Sequence, residues 1–371
     1  MKQHFKQISF GQLAGWNKDD HCAAMNAFLN TARHMVEAPY HTRALNVSSE
    51  YLVKIAKQAI ENAPFDQNSA RQFFEEHFSP FEIKDQENNQ LAKEGFVTAY
   101  FEPEVLASRT RTADFSAPLY RRPDNLVDVN GDNRPDSWDP EFKFARIKDQ
   151  DEEPGLEVYP DRKAINNGYL DGKGLEIAYV KDLAEALYVH IQGSARLRFA
   201  DEAIIRVGFA AKTGHPYTAV GKVLLDQGEL SRDNCGMRAI RNWFSANPDK
   251  MHSIIEKNRS YIFFNEYPVL DVESGPVGAA KVPLVAERSL AIDRTLHTFG
   301  TPIWIETDNP LPGESSTFKK LMIAQDTGSA IIGPTRGDLF LGSGDGPGKI
   351  AGDTRHQARF VVLLPKQQLR N

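Results

Sequence analysis

Three aspartates are spaced through the last third of this chain, at Asp293, Asp326 and Asp338. Asp293 lies in SLAIDRTLHTFGTPIWIE, and the other two lie in LMIAQDTGSAIIGPTRGDLFLGSG. Each follows or begins a run of strand-forming apolar residues, and glycines crowd the segments after the second and third. That pattern carries acids on strand ends and holds them close through tight turns. A carboxyl group in such a place can do acid/base chemistry if its pKa is raised. Two neighbouring carboxylates resist joint ionisation, which can raise the pKa of one of them. An aspartate that merely caps a strand, or accepts bonds from turn amides, would look the same.

The elements that must position these acids can be read along the chain. Met25, Phe28, Leu29, Ala32 and Met35 recur at helical spacing after Asp19-Asp20, and Leu52, Ile55, Ala56 and Ile60 do so after Ser48-Ser49. Phe73, Phe74 and Phe78 predict a third helix ending near Pro80. At Gly95-Phe96-Val97-Thr98-Ala99-Tyr100-Phe101 the character turns to strand. It stops at Glu102-Pro103, because proline cannot donate to a ladder. Residues 124–162 are polar, acidic and proline-rich and predict a long surface loop. A strand is expected over 175–180, a helix through Leu183, Ala186, Leu187 and His190, and further helix over roughly 231–257. From 262 onward short strands alternate with glycine turns, which argues a barrel or sandwich. This order suggests a β-domain interrupted by an insertion.

Composition bounds the function. The chain has 371 residues, 41% hydrophobic and 25% charged, enough for about two domains. Lys and Arg number 44 against 50 Asp and Glu, a net charge of −6, which disfavours a nucleic-acid partner. Cys22 and Cys235 lack CxxC spacing, so no zinc site is expected, and each reads as a buried free thiol. No run of about 18 apolar residues exists to span a membrane. MKQHFKQISF has no hydrophobic core of a signal peptide, so either the protein is cytosolic or a leader is missing. No zinc triad, GxSxG elbow or phosphate loop is present, which weakens peptidase, esterase and kinase readings.

The chain resembles the membrane-bound lytic murein transglycosylase A family. The resemblance rests on GFVTAYFEPEVLASRTRTADFSAPLYRRP, HIQGSARLRF, GHPYTAVGKVLLDQGEL, RNWFSANPDK, SYIFFNE, AAKVPLVAERSLAIDRTLHTFGTPIWIE and AQDTGSAIIGPTRGDLFLGSG, in the family's order, over roughly residues 10–365. It implies a mainly β fold with α-helices. A double-psi β-barrel with N-terminal helices, called the three-aspartate domain, would occupy 1–104 and 256–371, with its catalytic region at about 285–365. A smaller β-rich glycan-binding domain would be inserted at 105–255, with a groove between the two. The implied activity is cleavage of the N-acetylmuramic acid–N-acetylglucosamine bond without water, leaving a 1,6-anhydromuramoyl end. The implied partner is the peptidoglycan strand and the implied place the periplasm, with outer-membrane association through a leader or anchor absent from this sequence. A monomer without cofactor is expected.

The resemblance places the acid/base at Asp338, with Asp326 as its catalytic neighbour and Asp293 as a structural acid. Gly337, Gly342 and Gly344 would let the chain turn sharply and a sugar approach the backbone. Thr98 and Tyr100 would face the sugar from the barrel, and Thr327, Gly328 and Ser329 would supply hydrogen bonds. Gln192 and Ser194 would line the groove from the insertion, unless they only form a helix C-terminal turn around Gly193. Tyr217 and Lys222 are weaker candidates. Arg109 and Arg111 could meet peptide carboxylates, though solvated surface arginines account for them as well. Asp128, Asn130, Asp132, Asp136 and Asp139 occupy five positions of a calcium loop that lacks its glycine and terminal glutamate, so a solvated acidic loop is favoured. Two other classes stay open: an expansin-like glycan-binding protein without cleavage chemistry, and a hydrolase with Asp338 as acid and Asp326 or Asp293 as base.

Overall fold

The helical start signals are made by side chains that cap. Asp20 accepts the amide of Ala23 at the head of the helix His21–Glu37. Ser48 accepts that of Tyr51 ahead of Ser49–Asn62, and Asp66 and Ser69 cap each other before Gln67–His77. Each cap satisfies an amide that has no partner inside its helix and contributes about 1 kcal/mol. Phe78 departs from the helical expectation: it opens the strand Phe78–Ile83. Pro80 accounts for the switch, since its ring would clash with a continuing helix and pushes the preceding residue into extended backbone.

The computed structural model describes residues 5–83, 95–138, 142–148, 155–231, 234–269, 274–311 and 317–369. Among them the chain divides into two compact units, Met1–Phe101 with Val272–Asn371, and Glu102–Asp271.

The first unit is built on one sheet. Its strands run in the order Phe5–Gln7, Phe78–Ile83, Arg355–Pro365, Pro302–Pro310, Thr317–Asp326, Ser289–Ile292, Arg336–Ser343 and Gly95–Glu102. Gly95–Glu102 pairs back onto Arg355–Pro365, with Arg355 opposite Thr98, so the strands from Arg355–Pro365 onward close into a barrel. Ile303, Trp304 and Ile305 are consecutive and all buried. Such a run shows a strand covered on both faces, in contrast to the alternation of a half-exposed strand. The helix His21–Glu37 supplies cover, packing Met25, Phe28, Ala32 and Met35 into the core and touching Thr317–Asp326. Full burial of one such side chain stabilises the fold by about 1.5–3 kcal/mol.

The second unit has its own sheet, in the order Ile262–Pro268, Ile204–Lys212, Ser194–Arg198, Glu104–Ser108, Glu176–Val180 and Ala117–Tyr120. Pro103 is the break between Gly95–Glu102 and Glu104–Ser108, as the missing amide requires. The far boundary lies beyond the expected residue 255. Ile262–Pro268 pairs antiparallel with Ile204–Lys212, which draws it into the second unit's sheet. The stretch 124–162 also differs from a plain loop, because Leu126–Asp128, Phe144–Ile147 and Leu156–Glu157 form a small sheet. Leu126 and Ala145 are buried there, and such apolar anchors are easily masked by the polar residues around them. The helices Leu183–Gln192, Met237–Ala246 and Pro248–Ile255 share an apolar cluster through Leu187, Trp243 and Ile255.

Candidate active site

Asp326 and Asp338 come to the same level of the barrel. Strand Ser289–Ile292 runs between theirs, and Ala291 is the partner of Asp326 on one side and of Asp338 on the other. Two strand spacings, about 10 Å, separate the two backbones. Thr98 and Tyr100 share one face of Gly95–Glu102, because a strand alternates its side chains. Thr98 Oγ1 donates to Asp338 Oδ1 at 2.5 Å, and the Tyr100 hydroxyl donates to Asp326 Oδ2 at 2.7 Å. The structure thus brings four of the expected residues together.

Asp326 ends its strand, and the alternation sends its neighbour the other way. Gln325 is fully buried and donates to the carbonyl of Ala27 at 2.8 Å, which ties the strand end to the first helix. Asp326 Oδ1 accepts the amide of Ala279 at 2.9 Å. Burial raises the Asp326 pKa, against the bonds from Tyr100, Ala279 and Thr327 that favour its charged form. Burial also holds the Tyr100 phenol well above its ordinary pKa, with Asp326 adding to the effect. The Tyr100 ring is packed 5.3 Å from that of Phe340.

Asp338 keeps part of its surface open to solvent while protein encloses the rest. Burial lifts its pKa to about 6; the Thr98 bond and the Arg336 charge oppose the rise, and the charge of Asp326 adds the smallest part. Desolvation therefore outweighs the carboxylate repulsion that the sequence suggested. Of the nearby glycines, Gly342 and Gly344 adopt φ of 109° and 87°, where a side chain would strain the backbone. Gly337 serves packing instead: a Cβ there would meet Leu290 at 2.9 Å and Phe360 at 3.1 Å.

Asp293 is set differently. Its Oδ1 accepts from the Thr295 amide at 2.9 Å and hydroxyl at 2.6 Å, and its Oδ2 accepts from the Gly333 amide at 2.9 Å. It pins the loop that follows Asp326 to the turn that follows its own strand. Thr327 turns its hydroxyl inward to the carbonyl of Ile292, while Gly328 and Ser329 are exposed.

Gln192, Ser194 and Tyr217 belong to the other unit. Gln192 ends its helix before Gly193, whose φ is 77°, and Ser194 opens the next strand and is buried. The turn reading of this motif is thus present in the backbone. Tyr217 is partly exposed, and burial of its hydroxyl end raises its pKa. Lys222 pairs with Asp226 one helical turn on, and Arg109 lies 4.1 Å over the ring of Phe199. Arg111 is exposed. In the acidic stretch, Asp128 pairs with Arg122, and Asn130 Oδ1 accepts the amides of Asp132 and Asn133. Among the described residues no group of three or more His, Cys, Asp or Glu could hold a metal ion; Asp139 lies outside them. Neither Cys22 nor Cys235 is in a disulfide; Cys235 is buried and Cys22 half-buried.

Arg336 and Phe340 escaped the sequence reading. Both lie two residues from Asp338 on the same strand, so the period of two that singled out Thr98 and Tyr100 also places them on its face. Arg336 donates to the Thr98 hydroxyl at 2.8 Å and to the carbonyl of Gly337, and its guanidinium lies 5.2 Å over the ring of Phe96.

A closed barrel that presents two carboxyls at one level, interrupted by a second unit with its own sheet, defines a three-aspartate barrel protein with an insert. Residues 96–265 match the MltA specific insert domain and residues 288–364 match the 3D domain. The chain belongs to the membrane-bound lytic murein transglycosylase A family. It is similar to the crystal structure of membrane-bound lytic murein transglycosylase from Agrobacterium tumefaciens, at 42% identity and a TM-score of 0.90 over 99% of both chains. It is also similar to Escherichia coli MltA with bound chitohexaose, at 25% identity and a TM-score of 0.64, over 92% of this chain and 90% of that one. Membrane-bound lytic murein transglycosylase A of Escherichia coli strain K12 is 31% identical over 273 residues, 72% of this chain. That match spans 64% of the curated relative's length.

Proposed function

We propose that this chain is a peptidoglycan lytic transglycosylase, which cleaves the β-1,4 bond between N-acetylmuramic acid and N-acetylglucosamine and leaves a 1,6-anhydromuramoyl end. The observation that carries the reading is the Asp338 carboxyl, its pKa lifted to about 6 on a residue that is only half-buried. A group with that pKa can hold a proton near neutrality and release it to a leaving group.

One carboxyl suffices for this reaction. Asp338 protonates the glycosidic oxygen as the bond to C1 breaks. Its carboxylate then takes the proton of the muramoyl C6 hydroxyl, which attacks C1 of the same sugar. The nucleophile is already tethered, so no water has to be recruited and held. Asp326 assists as the neighbouring acid, and Thr98, Tyr100, Thr327, Gly328 and Ser329 surround the reacting sugar. Within the inserted domain, Gln192, Ser194 and Tyr217 are the residues proposed to bind glycan. The chitohexaose bound by the Escherichia coli relative supports a β-1,4-linked amino-sugar chain as ligand. Action on peptidoglycan implies a periplasmic location, and the membrane-bound relative supports attachment to a membrane there. No helix among the described residues is long and apolar enough to cross a membrane.

Mass spectrometry of the fragments released from purified peptidoglycan tests the proposal. Wild type should give anhydro ends, and Asp338→Asn should give none while remaining folded. Products heavier by one water would establish a hydrolase instead. Retention on peptidoglycan without any cleavage would establish a binding protein.

A further inference from the structure

We propose that Arg336 is a positioning residue for the proton of Asp338, acting through the hydroxyl of Thr98. The inference rests on Asp338 being the acid.

The argument is one of donors and acceptors. Arg336 Nη2 lies 2.8 Å from Thr98 Oγ1, and a guanidinium can only donate. One lone pair of the hydroxyl is therefore occupied by Arg336. Among the described residues its remaining partner is Asp338 Oδ1, at 2.5 Å. The hydroxyl proton has one acceptor to point at, and that is Oδ1. The positive charge on the far side polarises the hydroxyl in the same direction. Oδ1 is thus fixed as an acceptor, and the proton that Asp338 transfers resides on Oδ2. The carboxyl is presented to the sugar with its acidic hydrogen on a defined oxygen.

The fork of the guanidinium gives this arrangement its geometry. While Nη2 holds Thr98, Nη1 donates to the carbonyl of Gly337, and the plane lies over the ring of Phe96. A lysine would keep the charge but not the fork. Orientation of the Thr98 proton can therefore be separated from the electrostatic effect of Arg336 on Asp338.

A double-mutant cycle reads the coupling. With purified peptidoglycan as substrate, Thr98→Val and Arg336→Lys should each lower kcat about 10-fold with a smaller change in KM, as expected for a misdirected proton transfer. Combined, they should be no slower than the worse single variant within about 2-fold, because Arg336 has nothing to orient once the hydroxyl is gone. Thr98→Ser, which keeps the hydroxyl, should hold kcat within about 2-fold of wild type. Multiplicative losses in the double variant, an unaffected Arg336→Lys, or a Thr98→Ser as slow as Thr98→Val would each overturn the proposal. If Arg336→Lys does not fold, Arg336→Gln takes its place in the cycle under the same criteria. Asp338→Asn is assayed alongside. If it keeps anhydro-product formation, the catalytic reading itself fails. If it is inactive while the cycle is multiplicative, only the role of Arg336 is lost.

Discussion

Thr98 and Tyr100 stand two residues apart on one strand and bond to different aspartates, Thr98 to Asp338 and Tyr100 to Asp326. A single strand therefore sets the surroundings of both acids. The two are not equivalent. Asp326 accepts from a phenol and from the Ala279 amide, one on each oxygen, whereas the Thr98 hydroxyl engages Asp338 at Oδ1. The less engaged carboxyl is the one better suited to exchange a proton with a ligand.

The pH dependence of cleavage follows from that difference. In the proposed reaction Asp338 must be protonated at the start, and its pKa is about 6. The rate on peptidoglycan should be level on the acid side of this value and fall about 10-fold per pH unit above it. Initial rates of anhydro-product release between pH 4.5 and pH 8.5, values of order set by that pKa, will show this limb. A profile flat through the whole range would remove Asp338 as the acid.

Stability should carry the opposite face of the same shift. Folding raises the Asp338 pKa from 3.8 to about 6, so between these values the folded chain holds a proton that the unfolded chain has released. Its contribution is fully present below the unfolded value and is lost as the pH rises through about 6. Asp338→Asn removes the charge and keeps an oxygen for Thr98. The variant should match wild type near pH 4 and exceed it by up to about 2–3 kcal/mol near pH 8. Thermal unfolding at the two pH values decides; an equal difference at both would contradict the burial of this carboxyl.

Tyr100→Phe keeps the ring against Phe340 and deletes the hydroxyl that Asp326 accepts. It should destabilise the protein by about 1–3 kcal/mol at neutral pH, because a buried carboxylate loses a donor. The loss should shrink in acid, where Asp326 is neutral. Denaturant unfolding at both pH values is the measurement, and a pH-independent loss would mean that only packing changed.

Asp293→Ala should act on the scaffold. Three donors from Thr295 and Gly333 lose their acceptor, at a cost of about 2–4 kcal/mol. Below the lowered Tm the variant should still release anhydro ends. A folded Asp293→Ala protein with no activity would move this residue into the chemistry.

Much of this arrangement was legible in the chain. The strand through Thr98 and Tyr100 was bounded by Pro103, the first two helices were marked by Asp20 and Ser48, and the third by the spacing of Phe73 and Phe74. Asp338 stood out through the family's motif, and composition alone would have left it a turn aspartate. What stayed hidden depended on pairing at long range. Nothing local says that Ile262–Pro268 joins Ile204–Lys212, because a strand's partner is chosen by ladder and packing and carries no mark in its own residues. Arg336 was hidden for another reason. Its partner Thr98 is remote in sequence, so only the closed barrel reveals that two residues on one face of Arg336–Ser343 serve the same hydroxyl.

The barrel is closed by Arg355–Pro365, which pairs with Gly95–Glu102 on one side and Pro302–Pro310 on the other. Strand Gly95–Glu102 leaves the ribosome long before its partner does. Until residue 355 and those after it have been made, Thr98 has no ring to sit in, and the surroundings of Asp338 are unfinished. A chain stopped between residues 338 and 355 would carry all three aspartates without the strand that closes the ring around them.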